Sequence, residues 1–239
     1  MPDLRVFVTT SNSYLPALRP FSYLFNKYWG SDAQVVVVGF DAPQFDLPDN
    51  FTFYSIGNQD DYPVSKWSDA LIKFLNDVPD EVFCLLLEDY WLIRPVNREA
   101  VKMLYDYMGQ FRYVIKTDLC ADRLYAHGSK DYGHCGYLDL IISMPGSPYH
   151  MSLWPGLWSK EHLLRTLIPN ETPWDIELIG TTRLSHDQSV IVIGTHNYPV
   201  RITSALRGGE HSKLLLSELE DGDVRELRKL GFLEHWESE

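Results

Sequence analysis

Two adjacent carboxylates, Glu88 and Asp89, close the unbroken apolar run VFCLLL at residues 82–87. Held at one spot by a strand, such a pair can do one of three things. It can hold Mg²⁺ or Mn²⁺, hard cations that take oxygen ligands and bridge phosphates. One carboxylate can act as a base. Or the pair is structural, capping a helix or meeting Arg94. A second acidic cluster, ETPWDIEL, sets Asp175 and Glu177 two positions apart. Extended, they share a face; on a helix they diverge by about 200°. One of them can then face a site while Asp175 or Thr172 caps a helix start. Cations gather in NYPVRITSALRGGEHSK, where His196, Arg201, Arg207, His211 and Lys213 surround Gly208-Gly209. Arg207 can grip a phosphate through two parallel hydrogen bonds, and an ordinary solvated surface explains it equally well.

These residues need elements to place them. LRVFVTT reads as a strand that delivers Thr9 and Thr10, and the helical candidate YLPALRPFSYLFNKYWG follows it. AQVVVVGFD is a second strand ending at Asp41, with the continuous Val run expected when both faces of a parallel sheet are covered. FTFYSIG is a third. In SKWSDALIKFLNDV the apolar residues Trp67, Ala70, Leu71, Phe74, Leu75 and Val78 keep helical spacing, with Ser65 as N-cap and Asp69 one turn in. NREAVKMLYDYMG then reads as a helix between Asn97 and Gly109. This alternation predicts an α/β fold with a mostly parallel central sheet flanked by helices. Ligands of such sheets sit at the carboxyl ends of the strands, where Glu88 and Asp89 stand.

The second half is less regular. It offers YLDLIISM and SVIVIG as strands, SKEHLLRTLI as a helix and an amphipathic tail from about Ser217. The loop DRLYAHGSKDYGHCGY holds His127, His134 and Cys135 without paired zinc-ligand spacing. Its aromatics, with Tyr149, Trp154 and Trp158 beyond, suit either stacking on pyranose rings or core packing.

A formal net charge of -12 disfavours a general nucleic-acid binder. No stretch reaches the roughly 18 apolar residues of a membrane helix, and the N-terminus lacks a signal-peptide pattern. Three cysteines, Cys84, Cys120 and Cys135, without a CxxC, suit a reducing cytoplasm. The phosphate loop GxxxxGK[ST], the elbow GxSxG and a GxGxxG after the first strand are all missing.

SKWSDALIKFLNDVPDEVFCLLLEDYWLIRPVN resembles the helix and strand that carry the acidic DxD-type motif of GT-A-fold glycosyltransferases. WPGLWSKEHLLRTLIPNETPWDIEL resembles that family's acceptor-side stretch, and VFVTTSNSYLPALRPFSYLF its base-binding opening. The resemblance implies one GT-A-like (Rossmann-like) domain over residues 1–239. Within it, 1–110 would be the nucleotide-sugar-binding half, 111–215 the acceptor and catalytic half, and 216–239 a helical tail. It implies transfer of a sugar from a nucleotide-diphosphate donor to a hydroxyl of a glycan or surface polysaccharide. Thr9, Thr10, Asp41, Asp69, Glu88, Asp89 and Arg207 would then bind the donor. Glu88 and Asp89 would hold Mn²⁺ or Mg²⁺, with His196 or His211 as a further ligand. Glu177 or Asp175 would be the base of an inverting reaction. The sequence departs from the motif at Tyr90, where a second Asp commonly touches the metal, so a metal-independent site is equally compatible. A nucleotidyltransferase and a non-catalytic carbohydrate-binding or scaffold protein are the alternatives; against the former, the loop TTSNSYLPALR has no glycine.

Overall fold

The structure is a computed structural model that describes residues 4–121, 128–207, 210–211 and 215–237, with only the backbone at 207, 210, 211 and 215. Nine strands form its main sheet: β1 (Arg5–Thr9), β2 (Gln34–Gly39), β3 (Phe51–Ser55), β4 (Val82–Leu87), β6 (Val114–Asp118), β7 (Ser129–Cys135), β8 (Leu138–Ser143), β9 (Gly156–Ser159) and β10 (Ile191–Thr195). Their order is β3-β2-β1-β4-β9-β6-β10-β8-β7. Only β8 and β9 run against the other strands. A separate ribbon pairs β5 (Tyr90–Leu92) with β11 (Ile202–Ser204).

The fold is α/β, as the alternation of elements predicts, and the apolar runs show why. Along β1 and β2 the side chains of Val6, Val8, Val35 and Val37 enter one core, while Phe7, Val36 and Val38 enter the other. The first core lies under the helices Leu18–Tyr28, Arg98–Gln110 and Asp221–Lys229. The second lies under Trp67–Asp77, Lys160–Thr166 and Pro173–His186. Strands covered on both faces have no polar side to show, so an alternating pattern is absent from them.

Local details depart from the sequence reading. The helix from Trp67 is entered through a 3₁₀ turn, Val64–Lys66, so its N-cap is Lys66 and Ser65 sits inside the turn. Gly109 lies within the helix Arg98–Gln110 and Phe111 follows as C-cap. Asn97 does cap that helix, accepting from Ala100 N.

The strand β6 carries a feature the sequence reading passed over. Lys116 and Asp118 are completely buried, with Nζ 2.5 Å from Oδ1. Lys116 Nζ also stands 5.1 Å from the Trp158 ring centroid, a cation–π arrangement. Gly156, opposite Asp118 on β9, makes room: a Cβ there would lie 2.6 Å from Lys116 Cε. Desolvating two charges is costly, so this site depends on both partners being present.

Candidate functional site

From β1 the chain proceeds to β2 on one side, while β4 lies on the other. The strand order therefore turns at the β1/β4 boundary, the place where open α/β sheets form their ligand crevice. A cavity of roughly 420 Å³ lies there. The register pairs Thr9 with Leu87 as the last residues of the two strands. One step beyond come Thr10 and Glu88, and all four residues line the cavity together with Asp89 and Tyr90.

Glu88 is buried, and burial pushes its carboxyl well above the usual carboxylate range, with the Asp89 charge adding to the effect. Burial likewise pushes Asp89 up to about 6, against a Ser204 hydrogen bond that lowers it. Ser204 donates to the Asp89 carboxylate and so opposes the effect of burial. Its Oγ is 3.0 Å from Asp89 Oδ2 and also within hydrogen-bond reach of Leu206 O. Ala205 N donates to Asp89 O at 2.7 Å, which fixes the backbone of the pair.

The opposite wall comes from the helix Pro173–His186. Its start is a capping box: Thr172 Oγ1 accepts from Asp175 N, and Asp175 Oδ2 accepts from Thr172 N at 3.0 Å. Those bonds to Thr172 hold Asp175 below the usual carboxylate range. Asp175 is thus spent on the cap and does not line the cavity, whereas Glu177 does. Glu177 Oε1 accepts from Leu153 N at 2.7 Å, tying this helix to the segment before β9. Trp174, Trp67, Tyr62 and Phe40 add aromatic wall, and Tyr90 meets Trp154 with ring centroids 6.0 Å apart.

Other predicted site residues stand elsewhere. Asp41 accepts from Asn12 Nδ2 at 2.7 Å, holding the loop after β1, while Asn12 N donates to Gln59 of the cavity wall. Asp69 accepts from Asn170 N at 2.7 Å and so ties its helix to the loop before Thr172. His196 turns away to Asp131 on the edge strand β7, at 2.9 Å. The side chains of Arg207 and His211 and the pair Gly208-Gly209 lie outside the described residues. Sequence reasoning missed Ser204, Gln59, Tyr62 and Leu153. Only the polar residue that closes the short strand ITS hinted at Ser204; the others enter through loop geometry.

The tail supports the site from behind. Asp223 is fully buried, accepts from Tyr28 Oη and pairs with Lys27. Thr203 Oγ1 donates to Glu218, and Trp236 packs on Trp91 at 4.8 Å while its Nε1 donates to Ala205 O. A chain of contacts thus runs from Trp236 through Ala205 to Asp89.

Two carboxylates of the kind a divalent cation takes line the cavity. Glu88 and Asp89 are two hard oxygen donors at the mouth of a strand, destabilised as a pair of charges and therefore relieved by a cation. Among the described residues no group of three His, Cys, Asp or Glu gathers around one point. The remaining ligands would come from phosphate and water, the usual manner of Mg²⁺.

No family model matches the sequence, and no curated protein matches it. Solved structures that this chain resembles weakly include the following three. CMP:2-keto-3-deoxy-manno-octonic acid synthetase complexed with CTP is 14% identical, with a TM-score of 0.45, over 80% of this chain and 88% of that one. A cytidylyltransferase from Leptospira borgpetersenii serovar Hardjo-bovis is 10% identical, with a TM-score of 0.49, over 96% and 95%. Residues 1–349 of S. aureus TarS are 13% identical, with a TM-score of 0.48; the match covers 83% of this chain and 59% of that one. Among the described residues no helix is long and apolar enough to cross a membrane.

Proposed function

We propose that this chain is a glycosyltransferase that moves a sugar from a nucleotide-diphosphate donor to an acceptor hydroxyl. The observation that carries the reading is the joining of Thr9, Thr10, Glu88, Asp89 and Glu177 around one cavity at the β1/β4 boundary. In this reading Thr9 and Thr10 meet the nucleoside, where Phe40 and Tyr62, 6.0 Å apart, offer apolar faces beside them. Glu88 and Asp89 hold the diphosphate end. The wall carries three carboxylates, so an anionic diphosphate enters it most readily together with a cation. A bound Mn²⁺ or Mg²⁺ would supply the charge that stabilises the leaving diphosphate.

Glu177 faces the acceptor side. It takes the proton of the attacking hydroxyl as the sugar carbon is approached from the face opposite the leaving group, which inverts the configuration. Asp175 is set aside as base by its capping bonds. Trp154 and Trp174 offer apolar faces on which an acceptor ring can lie. Residues 1–110 then serve the donor and 111–215 serve chiefly the acceptor.

The test is calorimetric titration with UDP, GDP, CMP and dTDP sugars, each with and without Mn²⁺. The expected result is binding of one nucleotide class that needs Mn²⁺ and is lost in Asp89→Asn. Binding without metal would keep the transferase and make Tyr90 the mark of a metal-free site. No binding of any donor would overturn the reading in favour of a carbohydrate-binding protein. Release of pyrophosphate from a nucleoside triphosphate and a sugar acid would replace it with a nucleotidyltransferase.

A further inference from the structure

A second concavity lies away from the crevice, between the helix Arg98–Gln110 and the edge strand β7, with a volume of about 690 Å³. It shares no lining residue with the crevice. Three aromatic rings line it, Tyr107, Phe111 and Tyr132, with the centroids of Tyr107 and Phe111 4.3 Å apart; Tyr113 stands next to them, 5.9 Å from Phe111 and with its hydroxyl 3.3 Å from that of Tyr132. Phe111, Tyr113 and Tyr132 remain 36%, 40% and 38% exposed, an unusual concentration of uncovered ring surface.

The backbone is shaped to produce this. In the β7/β8 ladder Asp131 pairs with Ile141 and Gly133 with Leu140, so Tyr132 is the extra residue of a bulge. A bulge re-aims a side chain, and here it sends the Tyr132 ring toward Tyr113. Gly133 follows with φ +150°, and a Cβ there would meet nothing within 4 Å, so the missing side chain leaves the concavity open beside the ring. Gly136, at φ +59°, lets Met103 approach where a Cβ would lie 1.9 Å from its Cε. Around the rings stand Asp106, Gln110 and His134, planar polar groups on the exposed rim.

We propose that this groove is a carbohydrate site, separate from the crevice, that stacks a pyranose ring on Phe111 and Tyr132. One face of a pyranose presents C–H bonds and suits an aromatic ring, while its edge presents adjacent hydroxyls. The amide of Gln110 supplies a donor and an acceptor for those hydroxyls, and Asp106 and His134, bonded on one side to Lys102 and Asp139, each keep a second polar atom for them. The site stands on residues independent of the proposed transfer chemistry, and its test reads binding alone.

Saturation-transfer difference NMR on the full chain, with methyl glucopyranoside, methyl galactopyranoside, methyl mannopyranoside and N-acetylglucosamine as probes, decides it. At least one sugar should receive saturation on its ring protons. Phe111→Ala and Tyr132→Ala should weaken its binding about tenfold, the loss of a stacked ring. Gln110→Ala and His134→Ala, both on the exposed rim, should weaken it less without touching the fold. Asp89→Asn should leave it unchanged, so failure of the transferase reading and failure of this one are separable. No saturation of any probe overturns the proposal, as does a signal that survives both ring variants. A groove that proves to be covered by a second copy, shown by a dimer that Tyr132→Ala dissociates, also overturns it.

Discussion

The two sides of the sheet are built differently. From β3 to β4 the strands are all parallel and their registers run without interruption; β1, β2 and β4 bury apolar side chains on both faces, while the edge strand β3 buries only Phe51. Beyond β4 the antiparallel β9 is inserted before β6, the β6/β10 ladder shifts around Ile115, and the β7/β8 ladder bulges at Tyr132. This side also buries a Lys–Asp pair. The crevice draws on both. Its carboxylates stand on stems that cannot move independently, since β1 and β4 share a ladder between two cores. Its other wall hangs from helices and loops secured by individual polar bonds, such as Glu177 to Leu153 N. The regular side is suited to fixing charge, the irregular side to shaping the opening.

This contrast can be broken by mutation. The largest effect is expected at Lys116. Lys116→Ala leaves Asp118 buried without its cation, and urea unfolding should show a loss of about 3 to 5 kcal/mol. A loss near zero would mean that the irregular side is not held by this pair.

Next comes the pH response of the regular side. Asp89 titrates from an ordinary value of 3.8 up to about 6 in the folded chain. Its folded value is raised, so the neutral form is favoured by folding. The associated stability is complete below about pH 4 and is lost as pH rises through 6. The difference amounts to about 3 kcal/mol. Without metal, the unfolding midpoint of the wild type should fall between pH 4 and 7 relative to that of Asp89→Asn. Parallel profiles for the two proteins would remove the strained pair from the account. The smallest effect is at the entrance of the acceptor-side helix, where Thr172→Ala should cost about 1 kcal/mol by thermal unfolding while nucleotide binding is retained.

The same contrast explains what was legible in the sequence. VVVV and VFCLLLED declare strands because parallel strands between two layers are continuous apolar runs, and the switch point follows from their order. Thr9, Thr10, Glu88 and Asp89 were therefore within reach of sequence reasoning, whereas Glu177, on a helix, is singled out only through the family resemblance and the capping role open to Asp175. The strand VIKTD was not: a lysine inside a strand reads as an exposed edge unless a partner two residues on is known to be buried with it. GLWS is not named as a strand in the sequence because Gly156, which serves to clear Lys116, signals a bend. Asp41 and Asp69 stand at strand and helix ends as expected, yet nothing in their spacing tells that Asn12 and Asn170 claim them.

The contact chain from Trp236 to Asp89 also has a consequence in time. The two residues are 147 positions apart (236 − 89). At ribosomal rates this corresponds to roughly 7 to 30 s of synthesis. During that interval a nascent chain can already hold β1, β2 and β4, while Trp91 and the backbone of Asp89 lack the ring and the ribbon that later cover them. Trp91, directly behind the site, is therefore enclosed late, and a pause in translation before the tail emerges would prolong its exposure to chaperones and to neighbouring chains.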